Sequence, residues 1–108
     1  MSQISTHILD PSAGKPAAGV YICLKKNGKL VAEGTTNSDG RIGDLLPEGK
    51  LLEIGDYEMV FYTGAYFSKQ NKKTFYPKVI VHFSIFDSSH YHIPLLLNPF
   101  GYSTYRGS

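Results

Sequence analysis

Apolar and polar residues alternate in short bursts along this chain. Ile4 to Leu9 (ISTHIL) sets Ile4, Thr6 and Ile8 on one face and Ser5, His7 and Leu9 on the other. The next stretch, PSAGKPAAG, reads as a loop from its Pro and Gly content. Val20 to Lys25 alternates again, with Val20, Ile22 and Leu24 pointing one way. Asn27-Gly28, two residues that tolerate positive φ, then predicts a tight hairpin returning through Leu30 to Asn37. Ser38-Asp39-Gly40 predicts a second turn, followed directly by Arg41. Leu45 to Ile54 reads as loop with short extended pieces. Asp56 to Thr63 places Tyr57, Met59 and Phe61 on one face. Val79 to Phe86 is the clearest strand, with Val79, Val81, Phe83 and Ile85 opposite His82 and Ser84. His90 to Leu97 and Gly101 to Arg106 complete the set. The one predicted helix is Ala65 to Lys73 (AYFSKQNKK), which has no β-branched residue and carries its lysines late, where a helix C-terminus favours them.

About seven short strands separated by turn signals predict an all-β sandwich, and residues 1–108 predict one domain. A chain of this length buries about two thirds of its unfolded surface, enough for a core without covalent staples. Eight Tyr and six Phe without Trp favour strands. A net charge of +2 and scattered basic residues give no footprint for nucleic acid. No apolar run approaches the roughly 20 residues that cross a bilayer, so neither nucleic acid nor membrane is expected as a partner. Cys23, the only cysteine, excludes an internal disulfide and a cysteine-based zinc cluster, and its apolar surroundings (VYICL) predict a buried thiol. The opening residues lack the basic start and apolar stretch of a signal peptide. The expected location is cytoplasmic, or periplasmic if a signal peptide has been removed.

Candidate chemistry centres on four histidines, His7, His82, His90 and His92. His90-Tyr91-His92 puts two imidazoles on one face of a strand. That spacing suits a metal pair, with His7 as a third ligand from another strand. It suits catalytic imidazoles and polar surface or interface residues better. His82, opposite an apolar face, reads as structural. Arg41 sits where a turn can aim a guanidinium at adjacent oxygens, or simply at solvent. No nucleophile elbow, phosphate loop or dinucleotide fingerprint is present, so an enzyme built on this chain would use water activated by imidazole.

Three blocks then resemble a single family. STHILD at the start, SDGR at the turn and HYHIPLLLNPFGYSTYRGS at the end are similar to the 5-hydroxyisourate hydrolases, the transthyretin-related enzymes of urate degradation. GDYEMVFYTGAYF and TFYPKVIVHFSI extend the resemblance over almost the whole chain. The terminal YRGS is its most specific mark and separates these enzymes from the hormone carrier transthyretin.

The resemblance implies a transthyretin-like sandwich of two four-stranded antiparallel sheets with a short helix after the fifth strand. It also implies a homotetramer, a dimer of dimers whose sites lie between dimers and whose tail is ordered by the assembly. The implied reaction is hydrolysis of 5-hydroxyisourate, a purine-derived small molecule, to 2-oxo-4-hydroxy-4-carboxy-5-ureidoimidazoline by opening a cyclic amide. His7 and His92 would activate water and protonate the leaving nitrogen, and Arg41 would hold substrate oxygens and the developing charge. Tyr105 and Arg106 would bind the ring, and Ser108 would orient a histidine or the water. His90 would support His92 or face solvent. No cofactor and no metal is implied. The competing expectation is a carrier that binds flat aromatic ligands without catalysis.

Overall fold

The structure, a computed structural model, describes residues 2–107. Nine strands and one helix follow in the order β1 (Ile4–Asp10), β2 (Lys15–Pro16), β3 (Tyr21–Lys26), β4 (Lys29–Thr35), β5 (Arg41–Ile42), β6 (Gly55–Phe61), α1 (Thr63–Ser68), β7 (Val79–Ile85), β8 (Tyr91–Asn98) and β9 (Gly101–Thr104). They form two stacked sheets. One has the order β4-β3-β6-β7. The other runs β2-β1-β8-β9, with β5 also paired to β1. The two-residue β2 makes this second sheet five-stranded rather than four-stranded, and with β2 counted the helix follows the sixth strand. The pairing also departs from the antiparallel expectation, because β1 and β8 run parallel, from Ile4↔Tyr91 to Leu9↔Leu96. Parallel neighbours need a long crossover, and here nearly the whole chain supplies it.

Alternation drives the burial. Ile4, Thr6 and Ile8 of β1 are buried, while Ser5, His7 and Leu9 are half-buried on the outer face. Val20, Ile22, Leu24, Met59, Phe61, Phe67, Leu95 and Leu97 fill the space between the sheets, and Cys23 is a buried free thiol. Thr6 is tolerated inside because its hydroxyl donates to the Ile93 carbonyl at 2.6 Å. Asn27 and Gly28, with φ of 51° and 77°, close the β3–β4 hairpin at Lys26↔Lys29. On β7, Val79 and Ile85 are buried, while Val81 and Phe83 are half-buried, packed against the core and lining a cleft.

The helix begins earlier and ends earlier than the composition predicts. Asn71 takes a left-handed φ of 55°, and the Lys72 N–H turns back to the Phe67 carbonyl at 3.1 Å. Lys72 and Lys73 therefore lie beyond the helix and do not serve its C-terminal dipole. Among the described residues, no helix is long and apolar enough to cross a membrane.

Candidate active site

The site is built on the outer face of the β1–β8 seam. The Ser38-Asp39-Gly40 turn is locked from two sides. Asn37 Oδ1 accepts the N–H groups of Asp39 and Arg41 at 2.9 and 3.1 Å, an Asx turn of the kind that short polar side chains make. The Ile8 N–H donates to the Gly40 carbonyl at 2.8 Å. Gly40 has φ +73°, and a Cβ there would run into the Ile8 carbonyl oxygen and lie 3.0 Å from Pro16 Cβ, so only glycine fits. The turn delivers Arg41 to a position directly across from His7. On the other edge of β1, the parallel register sets Ser5 beside His92. His7, Arg41 and His92 thus share one sheet face, although 85 residues separate the first from the last.

Their hydrogen bonding divides them. The side chains of His7 and Arg41 bond to no other described residue. His92 is held on two edges. Its Nδ1 lies 2.8 Å from Ser5 Oγ. Gly107 packs against the opposite edge, where an added Cβ would come within 2.5 Å of His92 Cδ2. The Gly107 N–H donates to the His92 carbonyl at 2.9 Å, as an isolated bridge. His90, on the same face, has Nε2 at 2.8 Å from the same Ser5 hydroxyl and Nδ1 at 2.9 Å from the Ser2 carbonyl. Burial, then the positive charges of Arg41, His7 and His90, pushes the His92 imidazole below its ordinary range and favours its neutral form. Among the described residues, no three His, Cys, Asp or Glu side chains converge to hold a metal ion.

The remaining candidates lie elsewhere. The Arg106 guanidinium sits 4.2 Å from the centre of the Tyr91 ring and 5.7 Å from that of Phe86. It donates to Ser89 Oγ and the His90 carbonyl at 3.2 and 3.3 Å. Tyr91 and His92 alternate on β8, so within one chain Arg106 is on the far side of the sheet from the histidines. Tyr105 is exposed and, with Arg106, lines a cleft of about 320 Å³ between β7 and β9. Ser108 lies outside the described residues. His82 is on β7, facing Glu58, away from the cluster. The tail is tied to its own chain by Gly107 and Arg106.

Sequence reading missed Ser5 and Gly107 as parts of the site. Alternation places Ser5 on the same face as His7, but only the parallel pairing brings it to His92.

The family model described as HIUase/Transthyretin family matches residues 4–107. The chain belongs to this family. The 5-hydroxyisourate hydrolase of Salmonella dublin is 49% identical over 97% of this chain and 80% of its own length. The structure of Klebsiella pneumoniae 5-hydroxyisourate hydrolase superposes with a TM-score of 0.90 at 39% identity, covering 97% of this chain and 98% of that one. Sea bream transthyretin, solved in complex with thyroxine, superposes almost as well. Its TM-score is 0.89 at 30% identity, covering 98% of this chain and 95% of that one. The backbone therefore does not distinguish a 5-hydroxyisourate hydrolase from a thyroxine-bound transthyretin; side chains must.

Proposed function

We propose that this chain is a hydrolase of 5-hydroxyisourate. The observation that carries the reading is the convergence of two imidazoles and a guanidinium on one sheet face, two of the three having no partner among the described residues. One imidazole removes a proton from water as the oxygen attacks the amide carbonyl carbon. The negative charge that develops on the carbonyl oxygen is met by Arg41. The carbon–nitrogen bond then breaks, and the other imidazole supplies the proton the leaving nitrogen needs. Such acid–base help is worth about 10²–10⁴ in rate. The neutral state favoured at His92 suits a base.

The finer parts of the reading belong to the assembly. A homotetramer, formed as a dimer of dimers, would cover the outer face of β1 and β8 and shelter it from water. Tyr105, Arg106 and Ser108 would then contribute to ring binding and orientation. The exposed site face, with His7 half-buried and Arg41 exposed, supports the need for such a cover.

The test is an ultraviolet time course in which urate oxidase generates 5-hydroxyisourate before this protein is added. Decay faster than the spontaneous reaction is expected. Decay at the spontaneous rate from folded protein overturns the reading. It would favour the carrier function, which the likeness to the thyroxine-bound transthyretin supports and which requires no proton-transfer groups.

A further inference from the structure

We infer that Ser5 and His90 form a directional hydrogen-bond relay that fixes the neutral tautomer of His92, leaving its Nε2 lone pair bare and making His92 the general base. The catalytic part of this inference rests on the hydrolase reading. The order of hydrogens in the relay does not.

The direction follows from the acceptor at its far end. The Ser2 carbonyl can only accept, so His90 Nδ1 at 2.9 Å must carry a hydrogen. A neutral His90 then has a lone pair on Nε2, and the Ser5 hydroxyl at 2.8 Å donates to it. That donation uses the only hydrogen Ser5 has. At the 2.8 Å contact with His92 Nδ1, Ser5 Oγ is therefore the acceptor, and His92 Nδ1 is the donor. A neutral imidazole carries one N–H, so His92 Nε2 has none. Gly107, packed against the Cδ2 edge, leaves no room there for a side chain, and the Ser5 contact at Nδ1 selects the ring orientation. His92 touches the reacting water in this scheme; Ser5 and His90 are positioning residues.

The relay also carries charge. When Nε2 takes a proton from water, the Nδ1 hydrogen can pass to Ser5 Oγ while the hydroxyl hydrogen passes to His90 Nε2. The positive charge is then shared between two rings. A proton gained from bulk solvent has the same two placements. Both leave Nε2 protonated and the base inactive. The charged and titratable groups bearing on it are His7 and Arg41 across β1 and β5, and Arg106 at the His90 carbonyl.

The experiment is nitrogen-15 NMR of the histidine rings in the full-length protein near neutral pH, paired with kcat and KM on 5-hydroxyisourate. The expected wild-type spectrum has His92 protonated on Nδ1 and bare on Nε2. Ser5→Ala, which removes the hydroxyl but keeps the Ser5 backbone hydrogen bond to His92, should shift the tautomer population towards Nε2–H and lower kcat about 10- to 100-fold, with KM little changed, a loss within the span of general-base help. Ser5→Thr, which keeps the hydroxyl, should restore both. His90→Phe keeps a ring and removes the acceptor, freeing Ser5 to donate to His92 Nδ1, and should give the same tautomer shift even if Ser5→Ala does not fold. A wild-type His92 protonated on Nε2 overturns the relay, as does an unchanged tautomer in both folded variants. The expected tautomer in a wild-type protein that does not speed decay supports the relay and sinks the hydrolase reading alone.

Discussion

The two faces of β8 hold polar groups in opposite ways. On the outer face, His90 and His92 are gripped by a serine hydroxyl and backbone, beside a histidine and an arginine that have no partner among the described residues. On the inner edge, Arg106 is spent on Tyr91, Phe86 and Ser89. A guanidinium stacked on an aromatic ring contributes packing as well as charge. A face whose charged groups have no partner among the described residues suits a ligand, whereas a fully bonded one suits stability. The contrast separates residues that the terminal motif would otherwise group together.

Mutations can break this contrast, starting from the largest effect. His92→Ala, His7→Ala and Arg41→Ala should each lower kcat/KM by about 10²-fold or more, with thermal unfolding close to wild type. Normal turnover in all three with an intact fold would falsify the assignment of the outer face. Gly107→Ala comes next. Its new methyl must displace the His92 ring, so kcat should fall about tenfold or more, as misplacement of a catalytic group does. A crystal structure of that variant should show the ring moved. Arg106→Ala should lower stability by about 0.5–1 kcal/mol from the lost ring contact, measured by urea unfolding, and raise KM through its place in ring binding, with kcat near wild type. A kcat loss as deep as that of His92→Ala would instead place Arg106 among the reacting groups.

The smallest effect concerns pH. Because the folded His92 is held below its ordinary range, the base stays neutral to more acidic pH than a free imidazole. Activity should fall only as pH drops through that lowered value. The linkage to stability has the same sign. The contribution is complete above the unfolded-state value and is lost as pH falls through the folded one. Arg41→Gln removes one of the positive charges and should move the NMR titration of His92 upward. A downward movement would refute the electrostatic cause.

Much of the fold could be read in advance, because alternation and turn chemistry are local. The inward set of β1, the Asn27-Gly28 hairpin and the turn before Arg41 are all legible from a few neighbouring residues. The helix was displaced because Asn71 turns the chain at a residue whose composition still permits helix. The His7–Arg41–His92 set was named only through a family resemblance. No spacing rule relates residues that meet through a parallel strand pair. The same limit hid Ser5, whose partner stands 87 positions away, and Gly107, whose value lies in a side chain it lacks.

The parallel β1–β8 seam also governs when the chain can become competent. Its first strand holds Ser5 and His7; β5 can bring Arg41 to His7, but Ser5 meets His92 only when β8 emerges to lie alongside. At roughly 5–20 residues per second, the 87 residues between Ser5 and His92 take about 4–17 s to synthesise. For that interval β1 has an unpaired edge, and so distant a contact carries a larger loop-closure cost than a hairpin does. A polypeptide interrupted before β8 lacks His92 and its contact with Ser5, so the seam ties competence to the synthesis of β8.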